Sequence, residues 1–328
     1  MRVLVLSHAD VERLLPMDEC VGLMADALSA LARGQVHQPL RMIVRPPQAK
    51  GLLALMPAHL AGARPALGLK ALSLFPSNPA IGKDAHQGSV LLYDNETGEL
   101  RALMNASAIT AIRTAAVSGV ATRELAREDA SVLALVGAGV QARSHLAAMA
   151  CVRPIKSVRV VCRRLDKSKQ FAEEMSARYR FPIVPKATVE EAVRGAEIIV
   201  TATTSAEPVL KYEWISPGVH LNAVGASLVT NRELDSATVR ASSLFVDRRE
   251  SALAEAGDLV LAVKDGSVGP DHIRGELGEV LIRAVPGRQS PDEITLFKSL
   301  GLAVEDVAAA DFLYAKALRM GAGQSAEF

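Results

Sequence analysis

Apolar positions along this chain fall into two kinds of pattern, and the change from one to the other divides it. In the first third, strand-length runs follow one another closely: Leu40 to Val44, Gly51 to Met56, Ala66 to Phe75 and Ser89 to Tyr93. The last is joined to a run from Leu100 to Met104 by Asp94-Asn95-Glu96-Thr97-Gly98, whose turn formers predict a hairpin. A strand near Val3 to Leu6 precedes them. Ser7 followed by Asp10 reads as a helix N-cap, and Pro16-Met17-Asp18-Glu19 opens a second helix ending near Gly34. These elements predict a mixed α+β region in which antiparallel pairing dominates.

From Ala106 to Ala126 small residues dominate, chiefly Ala, Ser, Thr and Gly. A helix of such residues lets other backbones approach closely, which suits a buried connector. Beyond it, strand-length segments alternate with helical stretches: Ser131 to Val136, Ser157 to Cys162, Pro182 to Val184, Glu197 to Ala202, His220 to Val224 and Leu244 to Asp247. That alternation predicts a parallel, doubly wound α/β sheet of Rossmann type. A last amphipathic helix, Val304 to Met320, is expected to return to the first region, and Gly321 to Phe328 reads as a frayed tail.

The most informative junction lies between the run ending at Val136 and the helix formers that follow. Gly137-Ala138-Gly139-Val140-Gln141-Ala142 has the spacing of a dinucleotide-binding turn. Gly137 permits the sharp turn, Gly139 lets backbone approach a pyrophosphate, and Ala142 is small enough for helix packing. A helix opening near Val140 would offer the phosphates its unpaired N–H groups and the positive end of its dipole. The cofactor expected is NAD or NADP. The next strand ends at Cys162 where an NAD site carries an acidic side chain, and Arg163 and Arg164 follow. Two guanidinium forks there favour a 2′-phosphate, hence NADPH, with NADH possible.

Composition narrows the remaining classes. The chain has 328 residues, 49% hydrophobic and 22% charged, with a formal net charge of +1, so it can bury two cores and carries no broad field for nucleic acid or membrane. Cys20, Cys151 and Cys162 lie far apart without metal-ligand spacing, and Cys151 and Cys162 read as apolar positions. A reducing, cytoplasmic compartment and no metal are expected. The start, Met1 to Leu6, is too short an apolar run for a signal peptide, and no run reaches membrane-spanning length.

Three cations interrupt apolar surroundings in the first region: Arg41, Lys70 and Arg113. A buried cation needs an anion, from the protein as an internal salt bridge or from a ligand as a bound carboxylate. With few carboxylates nearby in sequence, the group points to an anionic substrate. His86, ahead of an expected strand, is either a structural group or a polar contact at the site, and Lys83-Asp84 before it suits a mobile loop. His8, His37, His59 and His272 read as surface or turn residues.

Taken together, Gly137-Ala138-Gly139-Val140-Gln141-Ala142-Arg143-Ser144-His145, Ile109-Thr110-Ala111-Ile112-Arg113-Thr114-Ala115-Ala116, His220-Leu221-Asn222-Ala223-Val224-Gly225-Ala226-Ser227 and Phe297-Lys298-Ser299-Leu300-Gly301 resemble the ornithine cyclodeaminase/mu-crystallin family over nearly the whole chain. The resemblance implies a homodimer. It implies a substrate-binding and dimerisation domain over 1–113, completed by 305–328, and an NAD(P)-binding Rossmann domain over 114–304. By the same resemblance Arg41, Lys70 and Arg113 hold a substrate carboxylate. Ala138, Val140, Gln141, Arg163, Arg164, Thr114, Thr203 and Val224 match cofactor contacts, with Arg113, His86 and Ser299 beside the cofactor or pocket. The family includes ornithine and lysine cyclodeaminases, ketimine reductases, alanine dehydrogenases and an NADPH-dependent binding protein. Cyclodeaminases carry an aspartate for the substrate amine where this chain has Ser227. The reading is therefore NADPH-dependent reduction of a cyclic ketimine carboxylate, pyrroline-2-carboxylate or piperideine-2-carboxylate, with Lys70, Arg113 and Ser227 as catalytic residues. The lyase, the binding protein and the alanine dehydrogenase are the alternatives.

Overall fold

A computed structural model describes residues 2–62 and 64–327. The chain divides into two compact units, residues 1–113 with 301–328 and residues 114–300.

The first unit is an eight-stranded sheet packed on helices. Across it run Gln324–Glu327, Arg2–Leu6, Leu100–Asn105, His86–Tyr93, Ala66–Leu74 and Leu52–Leu60, with Val36–His37 and Met42–Val44 both pairing with Leu52–Leu60. Every pairing is antiparallel except Arg2–Leu6 with Leu100–Asn105. The C-terminal segment read as frayed instead completes the sheet edge, with Val3 opposite Ala326; Phe328 lies outside the described residues. Its mostly polar, exposed sequence, Gln-Ser-Ala-Glu, lacks the apolar run that marks an interior strand, because an edge strand needs only backbone pairing.

Alternation along Ala66–Leu74 buries Ala66, Gly68, Lys70 and Leu72 on one face. The helix Ala303–Met320 packs there, against Leu52–Leu60 and against the helix Met17–Ala32. Its first eight residues are all buried, so it is less amphipathic than its sequence suggests. Gly68 sets how close it comes. A Cβ at that position would stand 2.8 Å from the Leu91 carbonyl oxygen and 2.9 Å from Val307 Cγ2. The helix N-terminus is held by Gln38, whose Oε1 accepts the Val304 N–H at 2.9 Å.

The helix Ala106–Leu125 begins in the first unit and ends in the second. The second unit is an all-parallel sheet in the order Ile183–Pro185, Ser157–Val161, Val132–Val136, Ile198–Thr201, His220–Ala223, Thr295–Lys298, Ser243–Val246, Ile273–Glu276. Val136, Val161, Ile199, Leu221, Val246 and Leu296 form its core. The order runs outward from Val132–Val136 in one direction and then reverses, so the switch point lies between that strand and Ile198–Thr201. Two strands escape the sequence pattern. Thr295–Lys298 is four residues long and includes a lysine, and Ile273–Glu276 alternates apolar and polar residues at the sheet edge. Among the described residues no helix is long and apolar enough to cross a membrane.

Gly68→Ala is expected to lower stability by about 1–3 kcal/mol, because either the helix or a neighbouring strand must shift to admit the methyl. Denaturant unfolding checks this, and an unchanged midpoint would show that the close approach is not needed.

Candidate active site

In the second unit the turn after Val132–Val136 has the features that an anion site requires. Gly137 has φ +124°, and a Cβ there would lie 2.5 Å from the Ala202 carbonyl oxygen, so only glycine fits. Gly139 caps the helix Val140–Val152 without any side-chain hydrogen bond, and a Cβ built on it would meet nothing within 4 Å. The space beside Gly139 is therefore open and no side chain caps the helix start, an arrangement a pyrophosphate can use. Ala142 is buried beneath, and the Arg143 guanidinium donates to the Ala138 carbonyl at 2.9 Å while pairing with Glu174 at 2.7 Å, bracing the turn from behind. Ala138 is half-buried and Val140 exposed, while Gln141 lies one residue further into the helix.

The other expected cofactor residues gather at the carboxyl ends of neighbouring strands, where open parallel sheets bind ligands. Cys162, Arg163 and Arg164 follow Ser157–Val161 directly. Arg164 forks onto Asp166 at 3.2 and 2.5 Å, and Arg163 beside it is exposed. Cys162 is half-buried with its thiol directed at the Arg164 carbonyl, and Cys151 is exposed, so neither is the apolar core position expected from sequence. Thr203 and Val224 lie just past Ile198–Thr201 and His220–Ala223, and the Val224 N–H donates to the Thr201 carbonyl at 2.9 Å. Ser299, past Thr295–Lys298, is buried and donates its N–H to the Ala223 carbonyl at 3.1 Å. Ser227 is half-buried on the loop after His220–Ala223, its N–H on the Gly225 carbonyl at 3.0 Å. Thr114 is buried in the helix Ala106–Leu125.

The first unit brings the three cations together around one helix start. Lys70 and Arg113 are 1% and 4% exposed, and the expectation of few carboxylates nearby is corrected by Glu305 and Asp306, both fully buried. Lys70 Nζ lies 2.6 Å from Asp306 Oδ2, Arg113 Nε donates to Asp306 Oδ1 at 3.0 Å, and Arg113 Nη1 pairs with Glu305 Oε2 at 2.7 Å. Internal salt bridges thus hold Lys70 and Arg113. Sequence separation hid them: 192 and 193 residues divide Arg113 from these partners. Their acidic pair in the first turn of an apolar helix was the available signal, since a carboxylate is favoured there and has no reason to be buried without a cation.

Arg41 donates to the Gly301 carbonyl at 3.5 Å, and a Cβ on Gly301 would lie 2.3 Å from Arg113 Nη1, which places the two guanidiniums around that glycine. Burial pushes the Lys70 ammonium down to about 8, with the Arg113 charge acting the same way and Asp306 opposing both. His86 begins the strand His86–Tyr93 rather than preceding it. Although exposed at the surface of the unit, it is held below its ordinary value by desolvation and then by the Lys70 and Arg113 charges. A cluster of this kind can take an anion against cations already fixed in place.

The comparisons agree in direction. A model described as the ornithine cyclodeaminase/mu-crystallin family matches residues 1–321. A delta(1)-pyrroline-2-carboxylate reductase of Bacillus cereus is 38% identical over 99% of this chain and 100% of its own. A ketimine reductase mu-crystallin of Mus musculus is 42% identical over 86% of this chain and 85% of its own. The solved structure of Thermococcus litoralis delta(1)-pyrroline-2-carboxylate reductase, in complex with NADH and L-proline, superposes with a TM-score of 0.96 at 42% identity, covering 98% of this chain and 99% of that one.

Asp306→Asn is expected to cost about 3–5 kcal/mol, because it leaves two buried cations short of the charge they share. Chemical denaturation at neutral pH reads the loss. A change below about 1 kcal/mol would mean that the shared carboxylate contributes little to stability.

Proposed function

We propose that this chain, which belongs to the ornithine cyclodeaminase/mu-crystallin family, reduces a small cyclic ketimine carboxylate with NADPH, giving the cyclic amino acid. Pyrroline-2-carboxylate and piperideine-2-carboxylate are the substrates of this chemistry. The observation that carries the reading is the presence in one chain of an open dinucleotide turn at Gly137–Val140 and a buried cation cluster, in a family whose relatives are named for cyclic imine reduction.

The turn at Gly137–Val140 would hold the dinucleotide, which when bound would supply the hydride for the C=N carbon. The chain supplies the rest. Arg41, Lys70 and Arg113 hold the substrate carboxylate, Glu305 and Asp306 keep Lys70 and Arg113 from wandering, and fixing the carboxylate orients the ring it is bonded to. The nitrogen takes a proton as the new C–H bond forms. Lys70 or the Ser227 hydroxyl can donate a hydrogen bond to it, which favours the protonated imine. Ser227 lacks the charge to hold an ammonium and is a poor base near neutral pH, so amine attack of the cyclodeaminase kind finds no carboxylate at this position.

Arg163 and Arg164 take the 2′-phosphate, with Arg163 leading because Asp166 already engages Arg164. A second copy of the chain covers exposed apolar residues of the first unit, among them Met42, Ile43, Val44 and Leu53, in a homodimer. Three free cysteines fit a reducing, cytoplasmic setting.

A panel of cyclic and linear imino and keto acids, assayed by NADPH and NADH oxidation, is expected to give reduction of the cyclic ketimine carboxylates with NADPH preferred. Arg163→Ala should erode the preference by about 10-fold or more, the loss of one charge-assisted bond to phosphate. Equal kcat/KM with the two cofactors would remove the assigned role of Arg163, and ammonia released from ornithine would replace the reductase by the lyase.

The pH dependence follows from Lys70. With its value lowered to about 8, the free enzyme loses this positive charge as pH rises through that point. The kcat/KM for a carboxylate substrate is therefore expected to fall above pH about 8, and a profile flat to about pH 10 would sever Lys70 from substrate binding.

A further inference from the structure

The carboxyl ends of two adjacent parallel strands, Ile198–Thr201 and His220–Ala223, are tied together by one fully buried side chain, Glu233. Its Oε1 accepts the Thr203 N–H at 2.6 Å. Its Oε2 accepts the Gly225 N–H at 2.6 Å and the Thr201 hydroxyl at 2.9 Å. Each carboxyl oxygen thus accepts one backbone N–H, so both loop ends depend on this one side chain for an acceptor.

The residues behind it hold Glu233 itself in place. Asp258 Oδ1 accepts the N–H groups of Glu233 and Leu234 at 2.8 and 2.9 Å. Lys298 Nζ stands 3.4 Å from Asp258 Oδ2 and donates to the Ala223 carbonyl at 3.2 Å. The loop between is also pinned: a Cβ on Gly225 would lie 2.1 Å from the Thr203 carbonyl, and one on Gly257 would lie 1.9 Å from that of Asn231 and 2.5 Å from that of Leu228. Burial and the Asp258 charge both disfavour ionisation of Glu233, with Lys298 opposing them. An apolar residue here would leave the Thr203 and Gly225 N–H groups without acceptors, so the carboxyl sets the spacing of the two loops.

Doubly wound dinucleotide sites are built from two halves, and the strands of the first half here are Val132–Val136, Ser157–Val161 and Ile183–Pro185. Ile198–Thr201 and His220–Ala223 belong to the second, so their carboxyl ends serve the nicotinamide half. We propose that Glu233 is a positioning residue for that half: it fixes the distance between Thr203 and Gly225, and with it the base of the loop that carries Ser227. The inference rests on the reading of the second unit as a dinucleotide site. It separates the roles of the two ends, with the Gly137 turn and Arg163 binding the adenine half and Glu233 ordering the surface that the reactive ring meets.

The test compares NADPH with 2′-phospho-ADP-ribose, which lacks the nicotinamide ring, on the full chain carrying Glu233→Gln. The glutamine keeps the volume but turns an amide N–H toward existing donors. Expected are an NADPH Kd weakened by about 10-fold and single-turnover hydride transfer slowed by about 10-fold or more, with the fragment's Kd within about two-fold of the unaltered protein's. Equal weakening of NADPH and fragment, or no change in NADPH binding and hydride transfer in a folded variant, would overturn the proposal. If Glu233→Gln does not fold, Thr201→Val removes one donor of the three and leaves the backbone pair. It is read the same way, with hydride transfer expected to slow about 3-fold. The unaltered protein is the control for the reading beneath: if it binds NADPH but reduces no ketimine, the reductase assignment falls while the binding comparison still decides the role of Glu233.

Discussion

Two cations cannot be buried side by side unless something between them carries the opposite charge, and in the first unit that something is Asp306. One of its oxygens faces Lys70 and the other accepts from Arg113, with Glu305 taking the second arm of the guanidinium. Much of the surrounding architecture follows from this demand. The carboxylates sit in the first turn of a helix whose dipole favours them, Gly68 lets that helix come close to the strand bearing Lys70, and Gly301 gives the Arg113 guanidinium its room. Cations fixed in this way do not need to be ordered again when a carboxylate arrives, which is the benefit of preorganisation.

The second unit solves a different problem with backbone rather than charge. Its turn at Gly137 depends on a residue without a Cβ, and the space above Gly139 depends on a helix start that no side chain caps. Together they leave a sharp turn beside a helix start that no side chain caps, which is the combination a phosphate can use.

How much of this could be read from sequence varied with the range of the interaction. The dinucleotide turn was legible because its glycines, its strand and its helix are contiguous, and the alternation of strands and helices fixed the Rossmann class. Lys70 and Arg113 were recognisable as cations in apolar surroundings, yet their partners were not, because pairing across 192 residues leaves no local pattern. The edge strand Gln324–Glu327 and the short strand Thr295–Lys298 were missed for a related reason: neighbours in space, not their own periodicity, make them strands. Glu233 carries no signal in the sequence, since its three donors come from segments that no local pattern brings together.

The first unit is assembled from both ends of the chain, residues 1–113 and 301–328. During synthesis this imposes an order. Lys70 and Arg113 are made long before Glu305 and Asp306, the carboxylates that permit their burial. Without residues 303–327 the sheet of the first unit lacks both the helix that packs on it and the strand that pairs with Arg2–Leu6. A truncated product would therefore retain a finished nucleotide fold beside an unfinished one, and quality control could distinguish it by the exposed strands that the final helix normally covers.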